Sequence, residues 1–447
     1  MQKTFTYTLP PHIFELEVER LRKGYFTDAY FSNTVRLLEH LACEGYTFAG
    51  ETALVTGNPS AVSTGDLEVE MQFFPRRQPF AVVAGVEESL AILRECAGYF
   101  SPQGDFVSTY SSLEIEAVPD GTITPYHGDS RDVRPVLKVR GRYRDFAKLE
   151  TPILGVLTES SRVATNVYNT LVAAKGKDIY FFPARFAHYK VQKLHGYAYS
   201  IAVEAYNEHH GAKSRVFVST DAQGAFTGNH GGGTISHATI ACFLGDTRET
   251  MLQFCRTMPP AIPRIALIDF HNDCVAEAKK VMQAMFAKYW EHYSLGDMAT
   301  ATRYVLYGVR PDTAGNMRDV SVPPLGDSEL DCGVNPRLVH NIRFGMDSAY
   351  LEWGLRPEAE PVAAKWCRDV KIVVTGGFDI ARINSFESLG VPVDIYGVGS
   401  SLLENTKGRS TDFTGDIVRV KIANRWETLA KLGRGPNDNS ELLLVKD

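Results

Sequence analysis

Val370-Lys371-Ile372-Val373-Val374-Thr375-Gly376-Gly377-Phe378-Asp379 and Val393-Asp394-Ile395-Tyr396-Gly397-Val398-Gly399-Ser400-Ser401 each run from an apolar stretch into a glycine turn. A strand that is apolar at successive positions is buried on both faces, as a parallel sheet covered by helices requires. Glycine at the following turn lets backbone N–H groups approach an anion, which also feels the N-terminus of the next helix. Gly376, Gly377, Gly397, Gly399 and Ser400 are therefore candidate phosphate-binding residues. On turn chemistry alone, the same glycines need do no more than permit tight reversals.

Working outward, further apolar runs of strand length stand at 179–182, 216–219, 265–268 and 304–309, separated by amphipathic helical segments such as 272–289. With the two runs above and a seventh at Gly233-Thr234-Ile235, the pattern predicts an α/β fold with an irregular seven-stranded β/α barrel. Residues 28–42 and 86–99 carry helical spacing, whereas 67–83 and 105–139 hold short β-like runs broken by proline and glycine. The expected organisation is an α+β domain over residues 1–145 and the barrel with its site over 146–402. Residues 403–447, β-like again at 416–420 and 442–445, are expected to pack back on the first domain.

The 447 residues carry a formal net charge of -6, which leaves no global electrostatic attraction for nucleic acid or an anionic membrane. An anionic ligand must be gripped locally. Seven cysteines, scattered and without a Cys-x-x-Cys pair, read as reduced thiols rather than a zinc or redox site. The N-terminal residues lack a basic segment followed by an apolar one, and no apolar run reaches membrane-spanning length, so a cytoplasmic protein is expected.

Barrel enzymes place reactive groups at the C-terminal ends of strands. Those positions here hold Phe182 and Arg185, Thr220-Asp221, Asp269, Arg310-Pro311-Asp312 and the two glycine turns. Phe182 and Arg185 can present a flat apolar ring and a planar cation to one site. Asp269 and Asp312 suit sugar hydroxyls and magnesium, since hard carboxylate oxygens bind Mg²⁺. For Asp312 a salt bridge to Arg310 is the plainer alternative. His237 follows Gly231-Gly232-Gly233 and opens an apolar helical run. Its spacing fits a capping or core histidine, and it equally fits a nucleophile beside an anion-binding turn.

In their order along the chain these motifs resemble the nicotinate phosphoribosyltransferase family, in particular its archaeal-like branch. Phe26-Thr27-Asp28-Ala29-Tyr30 resembles the family's Thr-Asp-x-Tyr motif, and Phe181-Phe182-Pro183-Ala184-Arg185 its Phe-Gly-x-Arg strand end. Gly233-Thr234-Ile235-Ser236-His237-Ala238 is similar to the segment with the phosphorylated histidine, and Ile268-Asp269-Phe270-His271-Asn272-Asp273 to the strand end that holds magnesium in its outer shell. Val309-Arg310-Pro311-Asp312-Thr313-Ala314-Gly315 is similar to the ribose- and diphosphate-binding Arg-x-Asp-Ser-Gly, and the two opening stretches to the phosphate turns.

The resemblance implies ATP and phosphoribosyl diphosphate as substrates, Mg²⁺ as cofactor, and a first domain built from both chain ends. It also implies a homodimer in which Tyr30 stacks on a pyridine ring in its partner's site while Phe182 covers the other face. Arg185 would touch base or phosphate, His237 would carry the transferred phosphoryl group, and Arg310 with Asp312 would hold the donor.

Two positions bear on the base. Acid-using members have a second arginine after the one at Arg185, where this chain has Phe186. Amide-using members have an aspartate that accepts from the carboxamide, a role Asp221 can fill, so nicotinate and nicotinamide both stay open. A sugar-phosphate aldolase or isomerase would use the same phosphate turns, but no strand end offers the lysine a Schiff base needs. A silent phosphoribosyl-binding homologue would not need His237 with Arg310-Pro311-Asp312.

Overall fold

The strands of the two larger sheets are, in chain order, β1 (Glu68–Pro75), β2 (Glu114–Ala117), β3 (Leu137–Arg142), β4 (Asp178–Phe181), β5 (Ile265–Leu267), β6 (Gly308–Arg310), β7 (Lys371–Val374), β8 (Ile395–Val398), β9 (Phe413–Ile422), β10 (Arg425–Thr428) and β11 (Leu443–Leu444). The helices that matter below are α1 (Ala29–Cys43), α2 (Val86–Cys96), α3 (Glu150–Ala173), α4 (His237–Cys242), α5 (Cys274–Tyr293) and α6 (Ile380–Ser388). The computed structural model describes residues 4–54, 62–233 and 235–446. Two compact units divide the chain: residues 1–166, 200–205 and 404–447 form the first, 167–199 and 206–403 the second.

In the first unit the sheet order is β10-β9-β1-β3-β2-β11. β1 pairs antiparallel with β9 from Val69↔Val420 to Pro75↔Phe413, so the centre of this sheet joins the two ends of the chain. One face is apolar. Val69, Met71 and Phe73 of β1 pack with Leu90 and Leu93 of α2 and with Ile153 and Leu157 of α3. That packing is why the unit extends to residue 166 rather than ending at 145: the first half of α3 supplies its core. The opposite face is charged. Glu70, 1 % exposed, accepts from Arg140 at 2.6 Å and Arg419 at 3.0 Å, and removing one partner of such a buried pair costs about 3–5 kcal/mol.

The second unit is built on a parallel sheet of order β4-β8-β7-β6-β5. Its first strand pairs with its last, β4 and β5 stand at the two edges of the ladder, and Val218 adds a parallel bridge beside Phe181. Five strands and this bridge, rather than a closed seven-stranded ladder, are what the described residues form. The 216–219 run gives only the bridge because the capping box of Thr220 and Gln223 turns the chain into a short helix at once. The expected strand at 233–235 includes Thr234, which lies outside the described residues, and Gly233 and Ile235 beside it are not in a strand.

Strand residues alternate between two buried faces. Tyr180, Ile265, Val373 and Ile395 cluster on one side, while Phe181 on the other stacks on Tyr199 with ring centroids 4.6 Å apart. Burial on both faces explains the unbroken apolar runs of the sequence. It also leaves the loops beyond the C-terminal strand ends as the place for polar chemistry.

Candidate active site

Thr375-Gly376-Gly377 leaves β7 with Gly376 at φ 93° and Gly377 at φ 74°. Only glycine adopts two left-handed residues in succession without strain, and the turn leads into α6, capped by Asp379. Gly397 serves differently, by close approach. A Cβ there would stand 2.6 Å from Thr375 Cγ2 and 2.9 Å from the Phe182 ring, so the last strand can lie against both only while it lacks a side chain.

The turns open on one cavity of about 320 Å³ within the second unit. Phe182, Arg185, Arg310, Asp312, Gly376, Gly377, Gly397, Gly399 and Ser400 all line it, together with Phe186, Thr375, Phe378, Asp379 and Ser401. The strand-end positions singled out in the sequence after β4, β6, β7 and β8 thus converge. Arg310 is largely buried, with Nη1 3.5 Å from Asp312 Oδ2 and Nη2 donating to the Ile235 carbonyl at 3.0 Å. Its Nε is buried with no partner among the described residues. Burial lowers the Arg310 pKa and the carboxylates of Asp312 and Asp269 act against that, so the cation is held in a polar but poorly hydrated spot. Asp312 Oδ1 accepts the Thr375 hydroxyl at 2.7 Å. The salt bridge to Arg310 is therefore present but long, and leaves both groups facing the cavity.

His237 and Asp269 pair with each other. His237 Nε2 lies 3.1 and 3.0 Å from the two Asp269 oxygens. The Asp269 side chain is 9 % exposed and the His237 side chain 46 %, so the carboxylate is fixed and the imidazole presents its other edge to solvent. Burial raises the Asp269 pKa, its bond to His237 lowers it, and Asp312 raises it again. The helix cap is Ser236, whose hydroxyl accepts the Thr239 N–H at 3.2 Å, so the histidine is free of that duty.

Within the second unit, His237, Asp269 and Asp221 are not among the residues that line the cavity. Asp221 begins a short helix, 82 % exposed at its side chain, and its Oδ1 accepts the Gly231 N–H at 2.8 Å. It pins the glycine loop that precedes His237. Tyr30 lies in the first unit, in the first turn of α1, 61 % exposed with its hydroxyl 3.3 Å from Asp28 Oδ2.

Sequence reading passed over Arg382. It donates Nη1 to the Gly376 carbonyl at 2.6 Å and Nη2 to the Val334 carbonyl at 2.7 Å, bracing the first glycine turn. A cation in the first turn of a helix opposes the helix dipole, and that misplacement was the available signal. Phe186 was noted only as a missing arginine. It is a wall: its ring lies so close to the last turn that a Cβ at 399 would stand 2.7 Å away, and the Arg185 guanidinium lies 5.4 Å from its centroid.

As a class, this is a fold with a parallel α/β unit whose late strand ends line one cavity, and an α+β unit that contains both chain ends. Residues 28–161 match the family described as Quinolinate phosphoribosyl transferase, N-terminal domain. Two solved structures share the fold over most of the chain. Nicotinate-nucleotide pyrophosphorylase from Pyrococcus furiosus is 24% identical, with a TM-score of 0.60 over 93% of this chain and 79% of its own. Human nicotinic acid phosphoribosyltransferase is 16% identical, with a TM-score of 0.53 over 88% of this chain and 74% of its own. At these identities the likeness is one of fold. No helix among the described residues is long and apolar enough to cross a membrane.

Proposed function

We propose that the chain is a phosphoribosyltransferase that joins nicotinate to the phosphoribosyl group of phosphoribosyl diphosphate, coupled to ATP through His237. The observation that carries this reading is one cavity holding two glycine turns, two arginines and Asp312, with the His237–Asp269 pair tied to it through Arg310 and the Ile235 carbonyl.

In the proposed reaction the bond from ribose C1 to the diphosphate oxygen breaks as the pyridine nitrogen bonds to C1. The protein's share is placement and charge. The glycine turns hold the 5′-phosphate, Arg185 and Arg310 face the leaving diphosphate, Asp312 holds the ribose hydroxyls, and Phe182 covers the ring. The oxygens of Asp269 and Asp312 suit the outer shell of a Mg²⁺ carried by the diphosphate, whose charge that ion would neutralise. Both carboxylates already have protein partners, which fits contact through water better than direct ligation.

Because Asp269 takes Nε2 of His237, a neutral imidazole carries its proton there and turns the Nδ1 lone pair outward. Nδ1 would attack the terminal phosphorus of ATP, releasing ADP, and hydrolysis of the phosphohistidine would return phosphate. Position 221 bears on the base: Asp221 stands outside the cavity walls, which removes the like charge that would oppose a carboxylate there.

The matched family supports a second reading, quinolinate as the base. Among the residues lining the cavity only Arg185 and Arg310 are cationic, a poor match for a second carboxylate beside diphosphate. Incubation with phosphoribosyl diphosphate, Mg²⁺ and ATP, with nicotinate, nicotinamide and quinolinate offered separately, should yield nicotinate mononucleotide from nicotinate. Carbon dioxide release from quinolinate alone would establish the second reading, nicotinamide mononucleotide would rename the base, and no product from any base would overturn the transferase assignment.

A further inference from the structure

Beyond the strand ends, the loops after β5 and β6 are tied to each other. Asp319 is completely buried. Its Oδ2 accepts the Cys274 N–H at 2.9 Å, and its Oδ1 accepts the Ser321 N–H at 2.9 Å and the Ser321 hydroxyl at 2.6 Å. Cys274 is the first residue of α5, and its Sγ lies 3.7 Å from the hydroxyl of buried Thr313, the neighbour of Asp312. Asn272, held at φ 56°, adds two bonds: its Nδ2 donates to the Arg318 carbonyl at 2.8 Å and its carbonyl accepts the Val320 N–H at 3.0 Å. The loop that starts at Asp269 and the loop that starts at Asp312 are thereby laced together.

The Arg318 guanidinium donates to the Asp319 carbonyl at 3.4 Å, while the carboxylate itself is buried among N–H, O–H and S–H groups, an arrangement that is costly to keep and calls for a return elsewhere. The strand pairing itself ends at Arg310↔Leu267, before either catalytic aspartate. Past that point Asp269 and Asp312 are like charges that push the loops apart, a repulsion offset in part by the Arg310 guanidinium, which interacts with both carboxylates.

We propose that Asp319, through Cys274 and Thr313, is a positioning residue that holds Asp269 and Asp312 at the spacing needed for phosphoribosyl diphosphate and its Mg²⁺. This rests on the transferase reading above. Asp319→Asn keeps the volume but turns an amide NH₂ against one of the buried N–H donors. The expected result is a fall in kcat of about tenfold or more, since small misplacement of reacting groups is expensive, with KM for the base changed less than about twofold. The Mg²⁺ concentration for half-maximal rate should rise as well. Hydrogen exchange should increase in 269–274 and 311–322 together.

A folded Asp319→Asn protein with wild-type kcat and Mg²⁺ dependence would overturn the proposal, as would faster exchange confined to 311–322. If that variant does not fold, Ser321→Ala, which removes one donor, should show the same changes at smaller size, and wild-type behaviour in it would also count against the strut. Wild-type protein inactive with every base would refute the transferase reading instead, and the paired exchange would then decide whether the strut exists.

Discussion

At the residue scale, what separates His237 from an ordinary helix-cap histidine is that Ser236 caps the helix and Asp269 takes the ring. His237→Ala should abolish ATP stimulation and acid-labile phosphate incorporation while leaving a slow, ATP-independent transfer. Equal stimulation by ATP in mutant and wild type would remove His237 from the coupling role. The sequence identified the polar residues at the strand ends well, because strand, turn and glycine signals all lie within a few neighbouring positions. It could not rank Asp221, whose carboxylate turns away to Gly231, and for Arg382 it offered only a cation misplaced in a helix's first turn, since the partners Gly376 and Val334 are reached only through folding.

At the element scale, the runs at 179–182, 265–268, 304–309, 370–375 and 393–398 each produced a parallel strand, because continuous apolarity reports burial on two faces. The helix α3 carries a less visible feature at its start. Burial first, and then the charges of Asp416 and Asp28, push the Glu150 carboxyl from its ordinary 4.5 up to about 8. Between those values the folded protein holds a proton that the unfolded chain has released, so stability falls as pH rises through the window. Thermal unfolding across pH 5 to 9 should show that decline in wild type, and Glu150→Gln should flatten it and gain about 1–3 kcal/mol above pH 8. An unchanged slope in the variant would place the titration on another group.

For the whole molecule, the homodimer with shared sites that the family resemblance implies is our proposal, and it makes a prediction that a self-contained site does not. Tyr30→Ala and Arg310→Ala proteins should each be nearly inactive. Dissociated, mixed in equal amounts and reassociated, they should recover about a quarter of wild-type activity, since half the dimers then contain one intact site of two. Recovery at the background level would mean that each copy supplies its own ring-stacking residue.

By itself the sequence determined where the five parallel strands run, where the chain must turn on glycine and which polar groups sit at those strand ends, because those properties are set by backbone stereochemistry and burial over a few residues. Tertiary structure alone decided which of those groups face one cavity, that β1 pairs with β9 from the far end of the chain, and that Asp319 laces two loops together. Such contacts join residues far apart in sequence, and their free energy depends on burial and hydrogen-bond geometry that no local pattern encodes.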